Sequence, residues 1–527
     1  MEQNPKTQRK WRFTWEAQSH SPNLRLFLFD SSTNPKIHFK SLDVSIILGK
    51  SQLLVTWIDE ATSGENGRRE EDVSLRVPVP RVLIDAESPV NFRALDDHIE
   101  VRLVLLLPVD HPLVSDLNLA TDSLGDREES APLVMDYDLK TLTSMGGVHL
   151  QCRNCSARLT KKALFDFSEM PSINWRESAD NWFGNCCCAF GSISEKMVAK
   201  YTNSYTCSSG FCLLSATTVL LSKDDLIECI SSDKTGIENQ FESGLDLSCD
   251  HGGVESGSRG SEGNGDSHEN GGESSIIHGL ACGQVDDDDS MLLRCEVKPS
   301  MPDCCVHDSD ESFQFEQQQL TLDKKFLLDG FLEDVFMAKA SNVSKNVDWI
   351  EFACPECSSP LGAYPSGGGR SVEPIDGGVR LFKCYISTSS AAICESSDVF
   401  RKYTLEKMFT NQLVECAKEE LSFHVLVKDL TTKSPLFRIV VLNPSSWSST
   451  GLCSSRDEAG SSTLELSPIV KVLFSDCSSS LVKKIDEEVY ILKGQGEELI
   501  ELLTNASKFL PSSCAYLQGS LVSSMHL

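Results

Sequence analysis

Two short segments about 200 residues apart carry the same pattern, and they constrain the fold more than any other feature. Cys152-Arg-Asn-Cys155-Ser-Ala-Arg-Leu159 and Cys354-Pro-Glu-Cys357-Ser-Ser-Pro-Leu361 both read C-x-x-C-S-x-x-L. A tight C-x-x-C turn aims two thiolates at one point. Zinc takes four ligands in a tetrahedron, so two such turns complete one four-cysteine site. The pattern therefore predicts a single structural zinc-knuckle site made of Cys152, Cys155, Cys354 and Cys357. Such a site staples the middle of the chain to its C-terminal part and leaves the residues between them looped out. Two other readings compete: unrelated pairs of reduced core cysteines, and a redox pair. Neither pair opens a thioredoxin-like βα unit, which weighs against the redox reading.

The chain has 527 residues, room for two or three domains with real cores. Its 21 cysteines would mean disulfides in a secreted protein. The N-terminus, however, runs polar and charged into Trp11 and Trp15 with no apolar h-region. The expected location is cytoplasmic and/or nuclear, where cysteines more often hold metal or act as reactive thiols. The most apolar stretch, Val101 to Val109, is broken by Arg102 and Pro108 and is too short to span a bilayer. No membrane partner is expected. A net charge of −29, with no long Lys/Arg cluster, argues against direct nucleic-acid binding.

Composition and periodicity divide the chain into four parts and predict an α+β, β-rich fold. Residues 1–132 comprise an N-terminal β-rich domain and an acidic connector. There Leu42, Val44, Ile46 and Leu48 alternate with polar residues, as do Val73, Leu75, Val77 and Val79, and Ile99, Val101, Leu103 and Leu105. Period-two alternation gives each strand one buried face, and several such strands predict an antiparallel β-sandwich-like domain. Residues 49–51, Gly-Lys-Ser, resemble the end of a phosphate loop, but Val44 occupies the place of the required first glycine. Residues 133–230 carry the first knuckle and a Trp/Cys-rich segment. Residues 231–315 hold 19 acids against 4 Lys/Arg, a net charge of −15, and their low hydrophobicity predicts a disordered acidic insert. Residues 316–527 form a mixed α/β C-terminal domain with the second knuckle. In it Leu405, Met408, Phe409, Leu413 and Cys416 follow helical spacing, as do Leu499, Leu502, Leu503, Ala506 and Phe509 before Pro511. Strands are expected at Phe423 to Val427, Phe437 to Leu442 and Val470 to Phe474.

A second cysteine cluster follows Trp182: Cys186, Cys187 and Cys188, then Phe190. Consecutive residues of an extended chain point in opposite directions, so three adjacent cysteines are poorly placed to bind one ion. They could share a site with Cys207 and Cys212, form an exposed docking loop flanked by aromatics, or be small buried hydrophobes. Catalytic patterns such as a G-x-S-x-G elbow or an H-E-x-x-H helix are absent from the sequence.

In their order, these features resemble the HECT-like ubiquitin-conjugating-enzyme-binding family, described as E3 ubiquitin ligases. The matching pieces are the first knuckle, the Trp182 to Cys188 segment, Gly210 to Leu214, and the second knuckle with Leu361-Gly362. Val470 to Phe474 before Cys477, and Leu510-Pro-Ser-Ser513, complete the set. The resemblance implies a ubiquitin-conjugating enzyme and ubiquitin as partners, and ubiquitin transfer to substrate lysines. A HECT-type mechanism needs an exposed cysteine that accepts ubiquitin as a thioester, and Cys477 is the candidate in the C-terminal part. The sequence lacks a recognisable HECT catalytic-cysteine motif. The same resemblance implies an alternative in which the protein is a non-enzymatic chaperone or regulator. It would dock on the metal-dependent pre-mRNA 3′-end-processing endonuclease through Trp182, Cys186, Cys187 and Cys188.

Overall fold

The computed structural model describes residues 11–61, 69–114, 133–170, 207–227, 335–340, 347–366, 373–390, 398–419, 421–453, 464–476 and 486–527. They belong to one compact unit. The connector expected at 114–132 lies almost wholly outside the described residues. So do the acidic insert, Cys477, and Trp182 with Cys186, Cys187 and Cys188. The described residues are β-rich, with few helices and several sheets.

The largest sheet has eleven strands. Its spine is Pro435–Leu452, 18 residues long. The first half of this strand lies antiparallel to His424–Asp429, and the second half lies antiparallel to Arg12–Gln18. Along its other edge runs Ser467–Asp476. The register breaks between Val441 and Ser446. Pro444 sits in that break: it has no N–H to donate to a ladder, so the strand bulges and bends there. Phe437, Ile439 and Val441 enter one core, and Trp447 packs on another. One strand therefore serves two cores.

The N-terminal core is built as the alternation predicts. Arg12–Gln18, Asn23–Phe29, Ile99–Val104 and Asn91–Ala94 continue the large sheet. Phe39–Ile47, Gln52–Ala61 and Arg69–Pro78 make a separate three-stranded sheet. Trp15, Leu26 and Val101 from the first share a core with Val55, Trp57 and Val77 from the second. The Trp15 indole N–H donates to the Pro78 carbonyl at 2.9 Å across the gap. Two details depart from the alternation. Leu48 falls in a short 3-10 turn at Leu48–Lys50, after the strand, and is exposed. Glu100, placed by pattern on a wet face, is buried.

A six-stranded sheet carries the second knuckle. Its order is Asp348–Ala353, Pro360–Ser366, Gly378–Phe382, Thr218–Ser222, Phe211–Leu214 and Asp166–Glu169. Thr218–Ser222 pairs antiparallel with Gly378–Phe382 across five residues. Val148–Cys152, the strand leading into the first knuckle, pairs with Ile386–Ser390. The middle and C-terminal segments are thus joined by backbone pairing as well as by cysteines.

Helices Leu405–Glu419 and Lys493–Ser507 pack on the main core through Leu405, Met408, Phe409 and Leu413, and through Leu499 and Leu503. The second helix ends four residues before Pro511, and Phe509 lies beyond it, partly exposed.

Gly362 marks a close approach of two strands. A Cβ there would lie 1.9 Å from the Arg380 carbonyl oxygen, a backbone atom that cannot swing aside. Gly362→Ala should lower unfolding stability by about 3 kcal/mol, the upper range for overpacking. Gly494 has open space around its Cβ position in a helix, so Gly494→Ala should stabilise by up to about 1 kcal/mol. Urea unfolding of the two variants measures the contrast.

Candidate metal centre

Each knuckle is a hairpin turn held by the same bonds. In the first, the Ser156 N–H donates to the Cys152 carbonyl at 2.8 Å, and the Cys152 N–H donates to the Ala157 carbonyl at 2.8 Å. In the second, Ser358 donates to Cys354 at 2.9 Å and Cys354 donates to Ser359 at 2.8 Å. Ser156 and Ser358 both adopt left-handed backbone, with φ of 60° and 57°. That sharp reversal is what brings two thiols of one turn to the same side. The shared leucines complete the repeat: Leu159 and Leu361 are buried in the same core and anchor the chain leaving each turn.

The two turns face each other. The four Sγ atoms lie within 4.8 Å of one another. Cys152 and Cys357 are 3.7 Å apart, and Cys155 and Cys354 are 3.6 Å apart. A disulfide would need about 2.05 Å. Four sulfurs at about 2.3 Å from a central ion stand about 3.8 Å apart in a tetrahedron, which is close to the spacing found. The quartet can therefore hold a metal ion, and the donor set suits a thiophilic one.

Polar groups around the sulfurs fit thiolates. Backbone N–H groups of Cys155 and Asn154 point at Cys152, that of Ala157 at Cys155, and that of Ser359 at Cys357. The Asn154 amide reaches the Cys357 sulfur at 3.7 Å and donates to Ser359 Oγ at 2.9 Å, bridging the two turns. Hydrogen bonds from the Ser359 hydroxyl and N–H pull the Cys357 thiol down to about 6. Burial pushes Cys152 up to about 12, so its thiolate calls for a cation beside it.

Arg153, between the first two cysteines, fixes the turn to the rest of the fold. Its guanidinium donates to the carbonyls of Phe400 at 2.6 Å, Tyr403 at 2.7 Å and Ile386 at 3.1 Å, and pairs with Asp398 at 3.4 Å. Tyr403 leads on to a buried charge cluster. Its hydroxyl donates to Asp138, which also receives Lys402 at 2.7 Å and Lys383 at 3.1 Å. All four side chains are buried.

The sequence pattern reached the four clustered cysteines and missed this support. Arg153 occupies a variable position of C-x-x-C, and nothing in the sequence pattern singled out Asp138. A basic residue inside the turn is the one signal that pointed to an anchor. Among the described residues, the other cysteines do not join the quartet. Burial pushes Cys207 and Cys453 up to about 12, and pushes Cys212 and Cys384 up as well. Cys207 packs beside Met170, Leu213 and Leu220. His149 hydrogen-bonds Thr160 at 3.0 Å and lies outside the site.

Asp138→Asn would leave two buried ammonium groups without their carboxylate. Breaking such a buried arrangement typically costs about 3–5 kcal/mol. Chemical denaturation should show a loss of that size.

A family model described as HECT-like Ubiquitin-conjugating enzyme (E2)-binding matches residues 52–266 and 295–522. No curated protein and no solved structure matches the chain. The matched spans cover both knuckles and most of the chain on either side of them, and the chain belongs to the HECT-like ubiquitin-conjugating enzyme (E2)-binding family.

Proposed function

We propose that the protein is an E3 ubiquitin-protein ligase that binds a ubiquitin-conjugating enzyme and promotes ubiquitin transfer to substrate lysines. The observation that carries this reading is the family match over residues 52–266 and 295–522. The quartet of Cys152, Cys155, Cys354 and Cys357 is assigned zinc, because four thiolates in a closed set are a common structural zinc environment. The ion's role is to hold the two knuckles together, and the transfer chemistry is assigned to other residues. The cytoplasm and nucleus are the compartments proposed, since both keep thiols reduced.

In a HECT-type transfer, a cysteine thiolate of the ligase attacks the thioester carbonyl of the loaded conjugating enzyme. A new thioester forms and the enzyme's thiolate leaves. A substrate amine then attacks that carbonyl, an amide forms, and the ligase thiolate is released. The accepting cysteine must be accessible and able to ionise. Burial pushes the thiols of Cys207, Cys212, Cys384, Cys453 and Cys514 up, and Cys416 is buried in the core. The quartet is committed to metal. This favours a nucleophile outside the described residues, and Cys477 is the candidate.

Purified protein with activating enzyme, ubiquitin and a panel of conjugating enzymes should form a reductant-sensitive ubiquitin adduct that Cys477→Ala removes. A folded protein that forms no such adduct across the panel would sink the HECT-type mechanism. Loss of the endonuclease on changing Trp182 or Cys186 to Cys188, with no ubiquitin chemistry, would favour the docking alternative. Elemental analysis should find one zinc per chain, absent from Cys152→Ser and Cys354→Ser, and chelation should lower the unfolding temperature.

A further inference from the structure

On the N-terminal part of the large sheet, strand register places charged side chains in two adjacent rows. Asn91, Arg102, Arg25 and Glu16 form one row across four strands. Arg93, Glu100, Phe27 and Thr14 form the next. Like charges directly opposite each other on neighbouring strands repel, and Arg25 faces Arg102 in this way. Glu100 offsets the repulsion. Its carboxylate, 1% exposed, meets Arg25 at 2.5 Å, Arg102 at 2.9 Å, and Arg93.

One carboxylate balances one guanidinium and leaves two. The side chains of Arg93 and Arg102 are 58% and 57% exposed. Each meets Glu100 through Nε and one terminal nitrogen, which leaves a second terminal nitrogen on each for another anion. The other acid in these two rows does not cancel the excess: Glu16 is matched by Lys471 at 2.7 Å. The Arg25 guanidinium is stacked 4.3 Å over the Phe27 ring, which holds it in place. The result is a fixed local charge of about +2 on a chain whose net charge is −29.

We propose that Arg25, Arg93 and Arg102 form a docking surface for an acidic peptide segment of a partner protein, with its carboxylates received by the outer guanidinium nitrogens. The reading does not depend on ubiquitin transfer. Guanidinium and carboxylate are planar and match in bidentate pairs. The size of the patch selects the partner class. Screening cuts charge interactions off within about 8–10 Å, so a short acidic segment senses the local excess. A nucleic-acid backbone would run beyond it onto the surface of a strongly acidic protein.

The test is fluorescence anisotropy of a labelled glutamate-rich peptide titrated with the full-length protein at low salt, with thermal unfolding of each variant recorded beside it. Saturable, salt-sensitive binding is expected. Arg93→Gln with Arg102→Gln should weaken it about tenfold or more, while Glu100→Gln, which removes the competing carboxylate, should tighten it. Arg93→Lys, keeping the charge, should fall between wild type and the double variant. Absence of binding to the wild type overturns the proposal, as does equal binding by all variants. Loss of binding in Glu100→Gln would show that the trio only supports the sheet. Stronger competition by inorganic phosphate or single-stranded DNA than by free peptide would overturn the assignment to an acidic segment.

Discussion

The antiparallel pairing of Thr218–Ser222 with Gly378–Phe382 is the contact on which the rest of the main core depends. It joins segments on either side of the acidic run at 231–315, and it sets the register of the six-stranded sheet. A one-residue slip would turn Leu221 and Val379 out of the core they share. Gly362 sits one strand further on, so close to Arg380 that only glycine fits. With that register set, the strand before Cys354 and the strand after Cys357 are also placed. The first knuckle comes to meet them through its own pairing with Ile386–Ser390. The four sulfurs thus close an arrangement that backbone hydrogen bonds have already brought near.

Much of this was legible in the sequence. Strict alternation at Ile99 to Leu105 and at Val73 to Val79 marked strands whose inward residues form the N-terminal core. The repeated C-x-x-C-S-x-x-L marked the quartet because a turn that aims two sulfurs leaves a recurring local signature. What stayed hidden was set by partners far away in the chain. The second half of Pro435–Leu452 is rich in serine and has no apolar alternation. It is a strand because Arg12–Gln18 and Ser467–Asp476 lie on either side of it. Glu100 reads as solvent-facing by period, and it is buried because arginines from two other strands and from its own converge on it.

The same distinction separates two kinds of buried charge. Around Asp138, two ammonium groups and a tyrosine hydroxyl share one carboxylate inside the main core, where the cost of desolvation is set against several short contacts at once. Around Glu100 the carboxylate is buried, while the guanidinium groups reach the surface. The first arrangement turns inward and ties the helix Met135–Ser144 to the segment that Arg153 holds. The second leaves positive charge facing outward. Counting ion pairs would treat them alike, although the positions of the cations give them different roles.

The long strand shared by two cores also bears on how the chain is made. Arg12–Gln18 pairs on one side with Asn23–Phe29, its immediate neighbour in sequence, and on the other with Ser446 to Leu452. A ribosome working at about 5–20 residues per second delivers that second partner roughly 20–90 s after the first strand. Throughout that interval a strand carrying the apolar side chains of Phe13 and Trp15 has an open hydrogen-bonding edge, the kind that recruits other chains. The N-terminal sheet can begin to form early in synthesis but gains this partner only once residues 446–452 have been made. The nascent protein therefore has a long period of vulnerability, in which a chaperone would matter more than it does to the finished molecule.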